Sequence, residues 1–234
     1  MRADNRKDNE IRELHILKDV QEQSDGSCLI SLGNTRVLCA VRFDSKVPLF
    51  LRGSGEGWIT AEYSMLPGST NTRTSRNNTN SGRTKEIQRL IGRSIRSAIN
   101  LAQIGENTLM IDCDVINADG GTRTAAIIGS FVALNNAIRK LQSQKILSNN
   151  IDIYPVAAIS VGLTENNIIL DLNYEEDSNA IADFNFVMDE NQNIIEVQGT
   201  GESGKFTQSQ LMEAVNMAGI AIKDIINIQK KYLD

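Results

Sequence analysis

Twice along this sequence a β-hairpin is followed by a loop and then a long helix, once over 28–102 and again over 167–232, and few architectures accommodate that order. In the first copy, Cys28–Leu32 and Thr35–Val41 flank the turn pair Gly33-Asn34, a two-residue hairpin signal. Ile87, Leu90, Ile91, Ile95 and Ile99 then recur at helical spacing, which predicts a helix from Thr84 to about Gln103. In the second half, Tyr154–Leu163 and Asn167–Leu172 read as strands joined at Thr164-Glu165-Asn166. Ala182–Met188 and Ile194–Gly199 read as a further hairpin across Asp189 to Asn193. The box Thr207-Gln208-Ser209-Gln210 opens a last helix running to about Tyr232. Between the halves lie a strand, Thr108–Ile116, and a helix from Thr122 to about Gln142, with Ile128, Phe131, Val132, Ile138 and Leu141 facing inward. The expected class is α+β (mixed α/β) with internally duplicated β-α halves, not a doubly wound parallel sheet, and one catalytic domain spanning 1–234.

Composition narrows the class. A hydrophobic share of 41% and a charged share of 23% are those of an ordinary globular chain. Apolar runs such as Val156 to Val161 are far too short to span a bilayer, so no membrane association is expected. Met1 to Arg6 is polar and carries no signal-peptide core. Cys28, Cys39 and Cys113 form an odd set without CxxC spacing in apolar surroundings, which predicts buried free thiols; the expected location is cytoplasmic. The net charge of −5 is unevenly spread: Arg73, Arg76, Arg83, Lys85, Arg89, Arg93 and Arg96 cluster with the single acid Glu86, whereas Ile146 to Gly204 contains no Lys or Arg. A basic segment beside an acidic one suits a polyanionic substrate held by arginines and a metal held by carboxylates.

The segment Asp119-Gly120-Gly121-Thr122-Arg123 passes from strand to helix through two glycines. A helix start exposes unpaired N–H groups and the positive end of the dipole, glycines allow an anion close to the backbone, and Thr122 and Arg123 add a hydroxyl and a charged fork. No GxxxxGK[ST] sequence occurs, so this is not a P-loop. Arg83, in Ser81-Gly82-Arg83-Thr84, stands at a second helix start and could reach the same anion. Arg73 and Arg76 lie on a long polar loop, Leu66 to Gly82, while Arg89, Arg93 and Arg96 share one helix face.

Downstream, Asp171, Glu175, Glu176 and Asp177 leave a strand and enter a loop, and Asp183 follows at the start of the next strand. Two aspartates flanking a short loop suit Mg²⁺, which takes a few carboxylates together with water and substrate phosphates. His15 is the only histidine, which disfavours mechanisms built on a His base or a His/Cys zinc cluster. Inorganic phosphate is already an anionic nucleophile near neutral pH, so an enzyme that attacks with it needs chiefly alignment and charge stabilisation.

Over about Met1 to Gln229 the sequence resembles the ribonuclease PH family. The resemblance rests on Arg2-Ala3-Asp4, Gly33-Asn34-Thr35, Gly55 to Pro67, Gly82 to Ser94, Asp112 to Ile116, Ala118 to Thr124, Tyr174 to Asp177 and Glu196 to Thr200. It implies the ribosomal-protein-S5-like fold and a Mg²⁺-dependent phosphorolytic 3′→5′ exoribonuclease that trims precursor tRNA and releases nucleoside diphosphates. It also implies a homo-hexamer built as a trimer of dimers. On this resemblance Arg83, Gly121, Thr122 and Arg123 hold phosphate, Asp177 and Asp183 are the catalytic, metal-linked pair, and the loop with Arg73 and Arg76 grips tRNA. Gly68 stands where family members usually carry arginine, Asn5 where glycine and Gly201 where alanine are usual, and the loop Asn77 to Gly82 is short and lacks its lysine. The alternative is a catalytically silent RNA-binding subunit of a ring-shaped RNA-degrading complex; retention of both the phosphate residues and the aspartate pair argues against it.

Overall fold

The computed structural model describes residues 2–76, 81–165 and 167–233. Two sheets form. Strands β1 (Leu14–Lys18), β2 (Gly26–Leu32), β3 (Thr35–Asp44), β4 (Trp58–Met65) and β5 (Thr108–Asn117) assemble in the order β1-β2-β3-β5-β4. Strands β6 (Val156–Leu163), β7 (Ile168–Leu170), β8 (Ala182–Asp189) and β9 (Ile194–Gly201) assemble as β7-β6-β8-β9. Helices α1 (Gly82–Arg96), α2 (Thr122–Ser143), α3 (Tyr174–Asn179) and α4 (Gln208–Lys230) complete the chain. The neighbouring strand pairs are antiparallel except β4 and β5, which run parallel because α1 carries the chain back across the sheet between them. The mixed α+β architecture expected from the sequence is therefore what forms.

Helix α2 is the common spine. Its residues are apolar nearly all round, and fifteen of them are buried, including Ile128, Phe131, Val132, Ile138 and Leu141. It packs on β2 and β3 of the first sheet and on β6 of the second, and β6 is buried along its whole length. Gly129 permits the close approach: a Cβ there would stand 2.8 Å from Cys39 Sγ. Cys28, Cys39 and Cys113 sit opposite one another on three adjacent strands beneath this helix, all buried and all free. Gln229 of α4 ties the layers by donating from Nε2 to the carbonyls of Ile128 and Val156.

Four elements depart from the sequence reading. α1 stops at Arg96 rather than near Gln103, because Ile99 leaves helical geometry to form a β-bridge with Ile153, and Asn100 then caps a separate 3-10 turn, Leu101–Ile104. The acidic loop after Leu172 contains the six-residue α3, started by a capping box in which Asn173 and Glu176 satisfy each other's amides. β1 and β4 have no counterpart in the sequence reading. In β4 the residues Ile59, Ala61 and Tyr63 alternate inward.

Candidate active site

The carboxyl ends of β4 and β5 lie side by side, Met65 paired with Val115, so the segments that follow them emerge at one end of the sheet. β5 leads through Asp119, Gly120 and Gly121 into α2. β4 leads through the polar loop into α1 and Arg83. This geometry brings the two predicted helix starts together. Gly120 and Gly121 both have positive φ, 69° and 63°, and a Cβ on Gly120 would come within 2.4 Å of the Leu172 carbonyl oxygen. Only glycine fits that position without displacing backbone.

The turn is anchored from several sides. The Asp119 amide donates to Thr35 Oγ1 (3.0 Å), and Thr35 Oγ1 in turn donates to the Gly120 carbonyl (2.6 Å). Asn34 Nδ2 and the Tyr174 amide donate to the Asp119 carboxylate at 3.1 and 3.2 Å. Gly121 is the N-cap of α2, and no side chain caps the helix there, so the first-turn amides are left for an anion. Tyr63 Oη donates to Thr122 Oγ1 at 2.8 Å, which orients that hydroxyl.

The second sheet supplies the opposite wall. One cleft of about 640 Å³ is lined by Arg83, Gly120, Gly121, Thr122, Arg123, Asp177, Asp183, Gln198 and Glu202, among others. Arg123 Nη1 donates to Gln198 Oε1 on β9 (2.8 Å) and lies 3.4 Å from Glu86 Oε1. Its fork is thus held across the cleft, with the side chain 17% exposed. Asp183 enters from β8. Its Oδ1 is one of four buried side-chain atoms without a hydrogen-bond partner among the described residues. Burial raises the Asp183 pKa, the neighbouring Asp177 raises it further, and Arg123 opposes both. Partial burial likewise raises Asp177, against the pull of Arg123 and Arg83. A carboxylate pushed up by burial and by its neighbour, with an orphaned oxygen, is the environment a cation relieves. Among the described residues no group of three or more His, Cys, Asp and Glu side chains is arranged as a metal cage. Two carboxylates suffice for Mg²⁺, which keeps most of its coordination for water and phosphate.

The remaining predicted residues divide. Arg76 lines a small hollow with Arg83 and Tyr63, next to the cleft, while Arg73 and Arg89 are exposed. Arg93 is paired with Glu196 of β9 at 2.6 Å. Arg96 donates to the Ile59 carbonyl (2.9 Å) and stacks 4.4 Å from the Trp58 ring centre. It lies roughly 20 Å along the helix from Arg83, at about 1.5 Å rise per residue. Asn77 to Asn80 of the shortened loop lie outside the described residues.

The sequence reading missed a second layer behind the cleft. Asp171, which opens the acidic run above, is fully buried and receives the Arg12 amide (2.7 Å) and the Arg12 guanidinium (2.6 and 3.0 Å). Gln198 and Tyr63 were also missed as site residues. The period-two alternation of β9, which puts Glu196, Gln198 and Thr200 on one face, is the signal that finds Gln198.

Residues 10–140 match the model of the 3′ exoribonuclease family, domain 1, and residues 154–221 that of domain 2. The chain belongs to this family, the RNase PH family. It is 50% identical to ribonuclease PH of Syntrophomonas wolfei over 235 residues, covering 99% of this chain and 98% of that protein. It is 47% identical to ribonuclease PH of Corynebacterium kroppenstedtii over 236 residues, covering 100% and 93%. Among solved structures, rice Rrp46 superposes with a TM-score of 0.81 at 20% identity, covering 100% of both chains. The Archaeoglobus fulgidus exosome with RNA bound to the active site superposes with a TM-score of 0.83 at 19% identity, covering 99% of this chain and 92% of that one. These two likenesses establish the fold.

Proposed function

We propose that this chain is a phosphorolytic 3′→5′ exoribonuclease that trims precursor tRNA and other RNA 3′ ends, and that its two family segments work as one catalytic unit. The observation carrying this reading is the single cleft in which an anion cradle from the first sheet faces a carboxylate pair from the second. Inorganic phosphate sits against the amides of the α2 first turn, the Thr122 hydroxyl and the Arg123 and Arg83 guanidinia. These groups hold one phosphate oxygen in line with the last phosphodiester of the RNA. That oxygen forms a bond to phosphorus, the bond to the 3′ oxygen of the preceding nucleotide breaks, and that oxygen takes up a proton. The products are a nucleoside diphosphate and RNA shorter by one residue. Arg123, fixed by Gln198, stabilises charge on the transferring group. Asp177 and Asp183 would hold Mg²⁺, which when bound neutralises charge on the phosphoryl oxygens. Arg73, Arg76 and Arg89 offer exposed positive charge to the RNA backbone, with Arg93 and Arg96 extending the same helix.

The protein works in this reading as a homo-hexamer, a trimer of dimers, in the cytoplasm. Leu49 and Phe50, 77% and 71% exposed, supply apolar surface of the kind an assembly covers. Among the described residues no helix is long and apolar enough to cross a membrane.

Incubation with a 3′-extended tRNA, with and without phosphate, tests the reaction class. Nucleoside diphosphates that appear only with phosphate support it. Monophosphates in phosphate-free buffer mark a hydrolase, and RNA binding without products marks a silent ring subunit.

The raised pKa values set a pH dependence. At neutral pH the ionised pair costs the fold stability, a cost that disappears as pH falls through the raised pKa of each group. Protonation also empties the site of cation ligands. The acid limb of kcat/KM is therefore expected above that of an unperturbed aspartate and should move to lower pH as Mg²⁺ is raised. A pH–rate profile at low and at high Mg²⁺ checks this; an acid limb insensitive to Mg²⁺ counts against the assignment.

A further inference from the structure

We propose that the segment from Arg2 to Arg12 is a strap that sets the two halves of the cleft against each other, with Arg12 positioning the phosphate turn and Arg2 positioning the acidic helix. This rests on the phosphorolytic reading of the cleft and adds to it residues that touch neither phosphate nor metal.

Three arginines converge on two carboxylates behind the cleft. Arg12 binds both oxygens of Asp171 through its amide, Nε and Nη2, and spends its remaining donor, Nη1, on the Asp119 carbonyl. That carbonyl immediately precedes Gly120. The same guanidinium walls off Gly121, where an added Cβ would meet Arg12 Nη2 at 2.8 Å. The glycine turn is thus held from beneath by a buried fork. Arg2 makes the corresponding contact on the other wall. Its Nε and Nη2 grip Glu176 at 2.6 and 2.7 Å, and Nη2 also donates to the Asp171 carbonyl at 3.0 Å. Glu176 is the N3 residue of the capping box that starts α3, and the next residue is Asp177. Arg6 lies between the two, 3.1 Å from the Asp171 carbonyl and 3.5 Å from Glu176 Oε2.

Asp171 itself has φ 53°, a conformation unfavourable for a non-glycine residue. Its carboxylate and carbonyl both face the strap, so the strained backbone is kept where the three arginines can reach it. The phosphate turn descends from β5 and the acidic helix follows β7, so the pair has no shared strand. The strap bridges the two walls through Arg12 on Asp119 and Arg2 on Glu176, both meeting at Asp171.

Each end of the strap should therefore control a different kinetic parameter. Arg12→Lys retains the charge and loses the fork. It is expected to raise KM for phosphate about tenfold, the effect of one charge-assisted hydrogen bond, with kcat within about twofold. It should also weaken the thermal protection that inorganic phosphate gives the protein. Arg2→Lys is expected to lower kcat about tenfold and raise the Mg²⁺ concentration for half-activation, leaving KM for phosphate unchanged. A merely structural cluster would lower Tm in both variants and move both parameters together, or neither, and that result overturns the proposal. If Arg12→Lys does not fold, Asp171→Asn carries the same phosphate prediction; failure of both to fold makes the cluster a scaffold and also overturns the proposal. Wild-type protein separates the two readings. Absence of phosphate-dependent diphosphate release from wild type sinks the phosphorolytic reading, whereas an unchanged phosphate KM in Arg12→Lys against a phosphorolytic wild type sinks only the strap.

Discussion

Asp183→Ala is expected to lower kcat by about a thousandfold or more, the scale on which loss of a preorganised charge stabiliser acts, while RNA affinity at matched salt stays within about threefold. The separation follows from position. Asp183 lies on β8 inside the cleft, and its Oδ1 meets no donor among the described residues, so its removal breaks no described contact at that oxygen. The folded state should lose little and gain slightly at neutral pH, because a carboxylate with a raised pKa no longer has to be held ionised. Phosphorolysis assays with a filter-binding titration in parallel make the measurement. Full activity in the variant would remove Asp183 from the metal site, and loss of RNA binding alongside turnover would make it a residue of the RNA path instead.

The second large effect is at Arg123. Arg123→Ala removes both the fork that faces the anion and the link to Gln198, and the expected result is a fall in kcat/KM for phosphate of about 10³-fold or more, as for arginines that stabilise a transferring phosphoryl group. Arg123→Lys should recover only part of this, because a point charge cannot reproduce a bidentate fork. Thermal unfolding should change by no more than a few degrees, since the Glu86 and Gln198 contacts are at a partly open surface. Phosphate kinetics with circular dichroism distinguish a lost reactant site from a lost fold. An unaltered phosphate KM would move the nucleophile's seat away from α2.

Much of the fold was legible because its signals are local. Gly33-Asn34 closes the hairpin between β2 and β3 as its turn chemistry requires, and Thr207 with Gln210 caps α4 reciprocally. The glycine turn was legible as well, because only a left-handed backbone needs glycine at two successive positions. What the sequence concealed was settled by contacts between distant residues. α1 carries an apolar stripe that continues to Ile99, yet Ile99 pairs with Ile153, more than fifty residues on, and the helix ends early. α3 is too short for any periodicity to register, and its start depends on Glu176, which Arg2 grips from 174 residues away. Asp171 is the instructive miss. By composition it belonged to an acidic run leaving a strand, whereas burial beside Arg12 makes it a fixed ion-pair partner. No spacing rule distinguishes those two fates for an aspartate at a strand end.

The common spine has a consequence for how the molecule comes apart. α2 packs against both sheets, with α1 beside it on the first and α4 beside it on the second, and its first turn carries the proposed anion seat, so loss of α2 takes helical cover from both sheets at once. Melting of that one helix removes the shared core and the cradle in the same event. An unfolding step that frees α2 therefore takes activity with it, even where α4 still covers the second sheet.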